Sequence, residues 1–190
     1  VRPELIIGIG AFYSKKDDVR YVGSSFSFQN DGRFKGFEYF QNNDIDLLAG
    51  SISASIREFT QTYHAPERLI IHFYKTMSQK ELRRIMRELK TMELSIPVHI
   101  VSINKTESRD IVAFDRDWHH RLPMSGTIIN VGQHEYLLFN NTRYHSQTNY
   151  LSDGYPFPIK IKIDSSEPGA LEDKRIVKGL IDQVYQFSRM

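Results

Sequence analysis

The stretch from Arg68 to Met86, RLIIHFYKTMSQKELRRIM, constrains the fold of this chain more than any other. Leu69-Ile70-Ile71-His72-Phe73 is an apolar run of strand length, of the kind buried on both faces of a sheet. Ser78 with Glu81 three residues later forms a capping box, which starts a helix at Gln79. That helix turns Leu82, Ile85, Met86 and Leu89 to one side and Lys80, Arg83, Arg84, Arg87 and Lys90 to the other. Pro97 to Ile103 reads as a second strand, parallel to the first because a helix connects them. A strand–helix–strand unit of this kind commits the chain to an α/β architecture. Its first strand runs into His72-Phe73-Tyr74-Lys75, so a lysine stands at a junction where many α/β enzymes carry a catalytic carboxylate.

The flanking sequence adds strands before and after this unit. Leu5 to Phe12, Arg20 to Phe28 and Arg33 to Phe37 read as three strands joined by polar turns, the second turn being Asn30-Asp31-Gly32, and are therefore expected to be antiparallel. Ile45, Leu48, Ile52, Ile56, Phe59 and Tyr63 recur at helical spacing, and His64-Ala65-Pro66 stops that helix. Further strands are expected at Ile111–Phe114, Gly126–Val131, Glu135–Phe139 and Ile159–Ile163, and a last helix from about Leu171 to Arg189. No repeat or linker divides the chain.

Composition excludes more than it assigns. The 190 residues suffice for one domain with a sizeable core. The absence of cysteine rules out a disulfide framework and a thiolate metal site, and it suits the reducing cytoplasm, where the protein is expected. No apolar run approaches the roughly 18 residues of a membrane span, so no membrane partner is expected. A net charge of +2 does not announce a nucleic-acid binder, and any such function must rest on local clusters.

Five segments carry a resemblance: Gly8-Ile9-Gly10 in the first strand, Val22-Gly23-Ser24 after the hairpin, Phe73-Tyr74-Lys75-Thr76 at the strand end, Asn104-Lys105 with Arg109, and Pro123-Met124-Ser125-Gly126-Thr127 before a strand. In order and spacing they resemble the PIWI domain of Argonaute proteins, with nearly the whole chain taking part. That family reads Gly-hydrophobic-Asp, Val-Gly-Ser, Tyr-Arg-Asp-Gly, Lys-Arg with a further Arg, and Pro-x-Gly-Thr at these places. The last motif has one residue more here. The resemblance implies an α/β, RNase H-like PIWI fold, a mixed sheet flanked by helices, over residues 1–190. It also implies a fragment, because the MID domain that precedes this fold and the C-terminal end of PIWI are missing. HFYK before a Ser-capped helix is similar to the short prokaryotic Argonautes in particular, a group that has lost its nuclease residues.

Active PIWI domains hold two Mg²⁺ ions about 3.5–4 Å apart with clustered carboxylates, since hard cations need oxygen ligands. Two of those positions fall on Gly10 and on Lys75, or Tyr74 if the register slips by one. Neither can bind Mg²⁺, and Glu38 or Asp44 alone cannot rebuild the site, so the domain is expected not to cut. Two uses of Lys75 remain open: a phosphate contact, or a stem lying along the strand end.

By resemblance, the full-length protein would hold a guide RNA, pair it with a single-stranded DNA target, and signal in antiphage defence to an APAZ-containing effector subunit with a TIR or sirtuin-like domain. No cofactor is implied within this domain; Mg²⁺ is implied at the guide 5′ end of a full-length protein. Lys105 and Arg109 match family positions that touch guide phosphates. Arg143, His145, Gln147 and Asn149 form a polar loop in a region that approaches the guide, Lys160 and Lys162 alternate on one strand face, and Arg189 falls near the guide 5′ end. The helix face with Arg83, Arg84 and Arg87 is either a solvated surface or a partner-docking face. Asp115-Arg116-Asp117-Trp118-His119-His120-Arg121 has the residue types of a metal site but no second cluster at ligand spacing, and reads as a polar loop. The competing enzyme reading is a divergent RNase H-like nuclease built on Asp17, Asp18, Asp115 or Asp117. A third reading makes the domain only a scaffold for the effector.

Overall fold

Strand β1 (Glu4–Ile9) is covered on both faces: Leu5, Ile7 and Ile9 point into one apolar core, and Ile6, 2% exposed, lies on the opposite side. The computed structural model describes residues 3–16, 19–22, 26–29, 34–36, 40–41, 44–63, 65–143 and 157–188. They form two compact units, one of residues 1–102 with 164–168 and one of residues 103–163 with 169–190.

In the first unit the amino-terminal hairpins divide between two sheets. Two of the three expected long strands are broken: β1 stops before Gly10 and β2 (Ala11–Ser14) begins after it, while β3 (Val19–Val22) and β4 (Phe26–Gln29) split the second. β4 pairs antiparallel with β1 and with β5 (Phe34–Gly36), whereas β3 pairs antiparallel with β2 and with β6 (Phe40–Gln41). The first long strand divides where its two halves take partners in different sheets.

Asp44 caps helix α1 (Ile45–Thr62), its carboxylate accepting from the Asp46 and Leu47 amides at 2.8 and 3.2 Å. β7 (Arg68–Phe73) lies parallel to β1, from Glu4 opposite Arg68 to Ile9 opposite Phe73. Helix α2 (Gln79–Thr91) starts where the capping box places it, and β8 (Val98–Asn104) runs parallel to β7 from Leu69 opposite Val98. Leu48, Ile52 and Ile56 of α1 and Ile85 and Leu89 of α2 share one core with Leu69, Ile71 and Phe73 of β7. Arg84 ties the helices at the surface by pairing with Asp46 of α1 as well as Glu88 of α2, so the basic face is partly neutralised.

The second unit holds the hairpin of β9 (Thr127–Gly132) and β10 (Glu135–Phe139), with β11 (Ile159–Ser165) antiparallel to β10. Asp173 caps helix α3 (Lys174–Phe187), whose Val177, Leu180, Ile181 and Val184 are buried. The strand expected at Ile111–Phe114 does not form. Those residues are irregular, and Ile111, Val112 and Phe114 are 37%, 40% and 60% exposed. β-branched residues favour a strand only where a neighbouring strand supplies a ladder, and no pairing forms here.

Gly126 opens β9 at φ +91°, and a Cβ there would stand 3.5 Å from the Tyr185 ring of α3, whose hydroxyl lies 3.1 Å from Ser125 Oγ. Gly126→Ala is expected to destabilise the protein by about 1–3 kcal/mol, because a side chain at this φ is strained. Urea denaturation checks it; an unchanged midpoint would show that the turn relaxes without cost.

Candidate functional site

The carboxyl ends of β1 and β7 lie side by side. The Tyr74 amide donates to the Ile9 carbonyl at 3.1 Å, continuing the ladder one step past Ile9 and Phe73. Gly10 and Lys75, far apart in sequence, therefore flank one junction. Gly10 is exposed and a Cβ there would meet nothing within 4 Å, so the absence of a carboxylate is not imposed by crowding.

Lys75 does not project freely from this junction. Its Nζ lies 2.9 Å from Glu81 Oε1, and 5.7 and 5.9 Å from the Phe73 and Tyr74 ring centres. Glu81 is 2% exposed, and its carboxylate also accepts from the Ser78 amide at 2.7 Å. Burial pushes the Glu81 carboxyl up, but Lys75 and the Ser78 amide and hydroxyl outweigh it and hold the group below its ordinary value. The cap that starts α2 is thus the counter-ion of Lys75. One charge cancels the other, and what remains for a ligand is the exposed third of the Lys75 side chain.

In the second unit the turn after β8 is built by Asn104. Its Oδ1 accepts from the Thr106 amide and hydroxyl at 2.8 and 2.9 Å and from the Glu107 amide at 3.1 Å. Buried Ser108 anchors the turn by donating to the Pro158 carbonyl. Lys105 and Arg109 are left exposed on this hydrogen-bonded turn.

The other expected contacts differ. Lys160 Nζ sits 3.2 Å from Glu135 and 3.5 Å from Glu107, and Glu135 above all raises its pKa. Lys162 is half-buried on the same strand face, its backbone opposite Glu135. Arg143, expected on a guide-facing loop, is 7% exposed. It donates from Nε to the Leu122 carbonyl at 2.8 Å, pairs with Asp115, and lies 4.4 Å from the Trp118 ring centre. His145, Gln147, Asn149 and Arg189 lie outside the described residues, as do Asp17, Asp18 and Glu38.

No family model matches the sequence, and no curated protein matches it. Solved structures do. An Argonaute of Marinitoga piezophila in complex with a 5′-OH guide RNA superposes with a TM-score of 0.64 at 15% identity over 98% of this chain. The same Argonaute with guide RNA and target DNA gives 0.60 at 16% identity over the same share. The fold is the RNase H-like PIWI fold of Argonautes. The chain spans about a quarter of those proteins, covering 26% of each.

Within the PIWI fold, two features of the junction and the loops were missed in the sequence. Glu81 reads in the sequence as a helix cap, and its second use, as the partner of Lys75, is signalled by a basic residue shortly before a capping box. The pairing of Asp115 with Arg143 has no local signal, because 28 residues separate the two. It leaves Asp115 committed: a backbone bond from Asp117 and the Arg143 guanidinium hold its carboxyl below the usual range. Among the described residues no three His, Asp or Glu side chains converge as a metal would require.

Proposed function

We propose that this chain is the PIWI part of an Argonaute that holds a guide RNA paired with a single-stranded DNA target without cutting it. The observation that carries the reading is the junction itself. The strand register ends with Ile9 beside Phe73, so Gly10 and Tyr74-Lys75 follow the two adjoining strand ends, and Lys75 is paired there with Glu81 in place of a metal-binding carboxylate. A Mg²⁺ ion brought there would face an ammonium group and a carboxylate already engaged by two donors.

Support for nucleic acid as the ligand is the similarity to an Argonaute that binds guide RNA and target DNA, together with Lys105 and Arg109 exposed on a braced turn. In this reading base pairing identifies the target, while the protein grips backbone charge and shape. Target binding then shifts a two-state assembly with an APAZ-containing effector subunit, of TIR or sirtuin-like type, toward its active form in prokaryotic defence.

The test uses the full-length protein. Guide RNA is expected to bind with an affinity that falls with salt, and Lys105→Ala and Arg109→Ala should each flatten the log–log slope by about 0.7–0.9. Complementary DNA should stay intact with Mg²⁺ or Mn²⁺. Cleavage that disappears in Asp115→Ala or Asp117→Ala would overturn the reading in favour of a displaced nuclease site.

A further inference from the structure

The loop from Asp115 to Arg121 is neither a metal site nor a featureless turn. The Asp115 amide donates to the Arg121 carbonyl and the Arg121 amide to the Trp118 carbonyl, both at 2.8 Å, which closes the loop on itself. Asp115 Oδ1 accepts from the Asp117 amide at 3.0 Å, and Arg121 takes up the turn at φ +61°. Arg143 holds this closed loop from below through Asp115, the Leu122 carbonyl and the Trp118 ring.

On that base three rings follow one another, each tilted against the next, by 48° and then 47°. Trp118 lies 4.5 Å from His119 and His119 lies 4.0 Å from His120, between ring centres. His119 and His120 are exposed, and Phe114, which precedes the closing residue Asp115, is 60% exposed. Arg116 and Arg121 of the same loop are exposed, against one exposed acid, Asp117. Rings held in order at a surface have already lost the freedom that a ligand would otherwise have to remove.

We propose that this loop is a stacking platform for an unpaired base of single-stranded nucleic acid, with His120 and Phe114 meeting the base and Arg116 and Arg121 meeting the adjacent phosphates. Stacking on aromatic faces tolerates any base, because every base presents a π-face. The class of ligand rests on the nucleic-acid reading above, and the place rests on the loop geometry. The site is separate from Lys105 and Arg109, whose role is electrostatic.

The experiment measures fluorescence anisotropy of the full-length protein with a labelled single-stranded oligothymidylate and with an abasic oligonucleotide of equal length, across a salt series. Phe114→Ala and His120→Ala leave the Arg143 latch intact. Each is expected to weaken binding of the thymidylate probe by roughly tenfold, leave the abasic probe unaffected, and keep the salt slope unchanged. Arg116→Ala and Arg121→Ala should weaken both probes and flatten the slope. Equal thymidylate affinities in wild type and ring variants, with Lys105→Ala still weakened, would overturn the platform and leave the nucleic-acid reading standing. Failure of wild type to bind either probe or guide RNA would overturn both. Ring variants that lose a co-purifying protein partner while binding both probes normally would make the loop a protein contact and overturn the proposal.

Discussion

Replacing Glu81 with alanine is expected to lower the free energy of unfolding by about 2 kcal/mol. The carboxylate has two roles. Leaving the Ser78 amide without the acceptor that completes the capping box costs about 0.5–2 kcal/mol, and losing the ion pair with the one-third-exposed Lys75 amine adds about 1 kcal/mol. Glu81→Gln keeps an acceptor for the Ser78 amide but loses the charge, so it should fall between wild type and Glu81→Ala. Urea denaturation measures all three.

The same pair bears on function. Combining Lys75→Met with Glu81→Ala in a double-mutant cycle isolates the coupling, which should be of the order of 1 kcal/mol for a pair this close to the surface. Lys75→Met is expected to change stability and leave the salt slope of guide binding unaltered. A slope that falls by about one unit would instead make Lys75 a phosphate contact.

Acidification is expected to cost about 3 kcal/mol of stability between pH 6.5 and 4, through His72. Burial lowers its pKa from 6.5 to about 4, and the side chain is 7% exposed on β7. In the unfolded chain His72 takes up a proton near pH 6.5, but in the fold only near pH 4. Between those values the unfolded state binds more protons, so stability rises with pH. The contribution is complete above pH 6.5 and is lost as pH falls. His99 on β8 is shifted the same way, chiefly by burial, and adds to the loss. The Glu81 carboxyl, held below its ordinary value, acts with the same sign at lower pH. Denaturation at pH 7, 6 and 5 checks this. His72→Leu should flatten the dependence, and an equal slope in wild type and variant would refute the assignment.

Much of the fold was legible in the sequence because it rests on local chemistry. The Ser78–Glu81 box placed α2 at Gln79, and a helix between two apolar runs made β7 and β8 parallel. Helical spacing from Ile45 to Tyr63 located α1. The failures concern partners. Ile111–Phe114 has strand composition but gains no strand neighbour, and Leu5–Phe12 is divided between two sheets although its pattern is continuous.

Among the candidate contacts the same division holds. Charge and exposure were readable for Lys105 and Arg109, which follow a strand and an Asn104 turn. Nothing local shows that Arg143 is spent on Asp115 and Trp118, or that Lys160 is shared by Glu107 and Glu135. The sequence by itself determined where the three long helices and the strands β7 and β8 lie, through spacing, caps and breakers that act over a few residues. Only the tertiary structure decided which of the basic side chains remain free for a ligand. A charge is claimed by whatever opposite charge the fold brings within about 4 Å, and that neighbour is set by chain topology rather than by sequence distance.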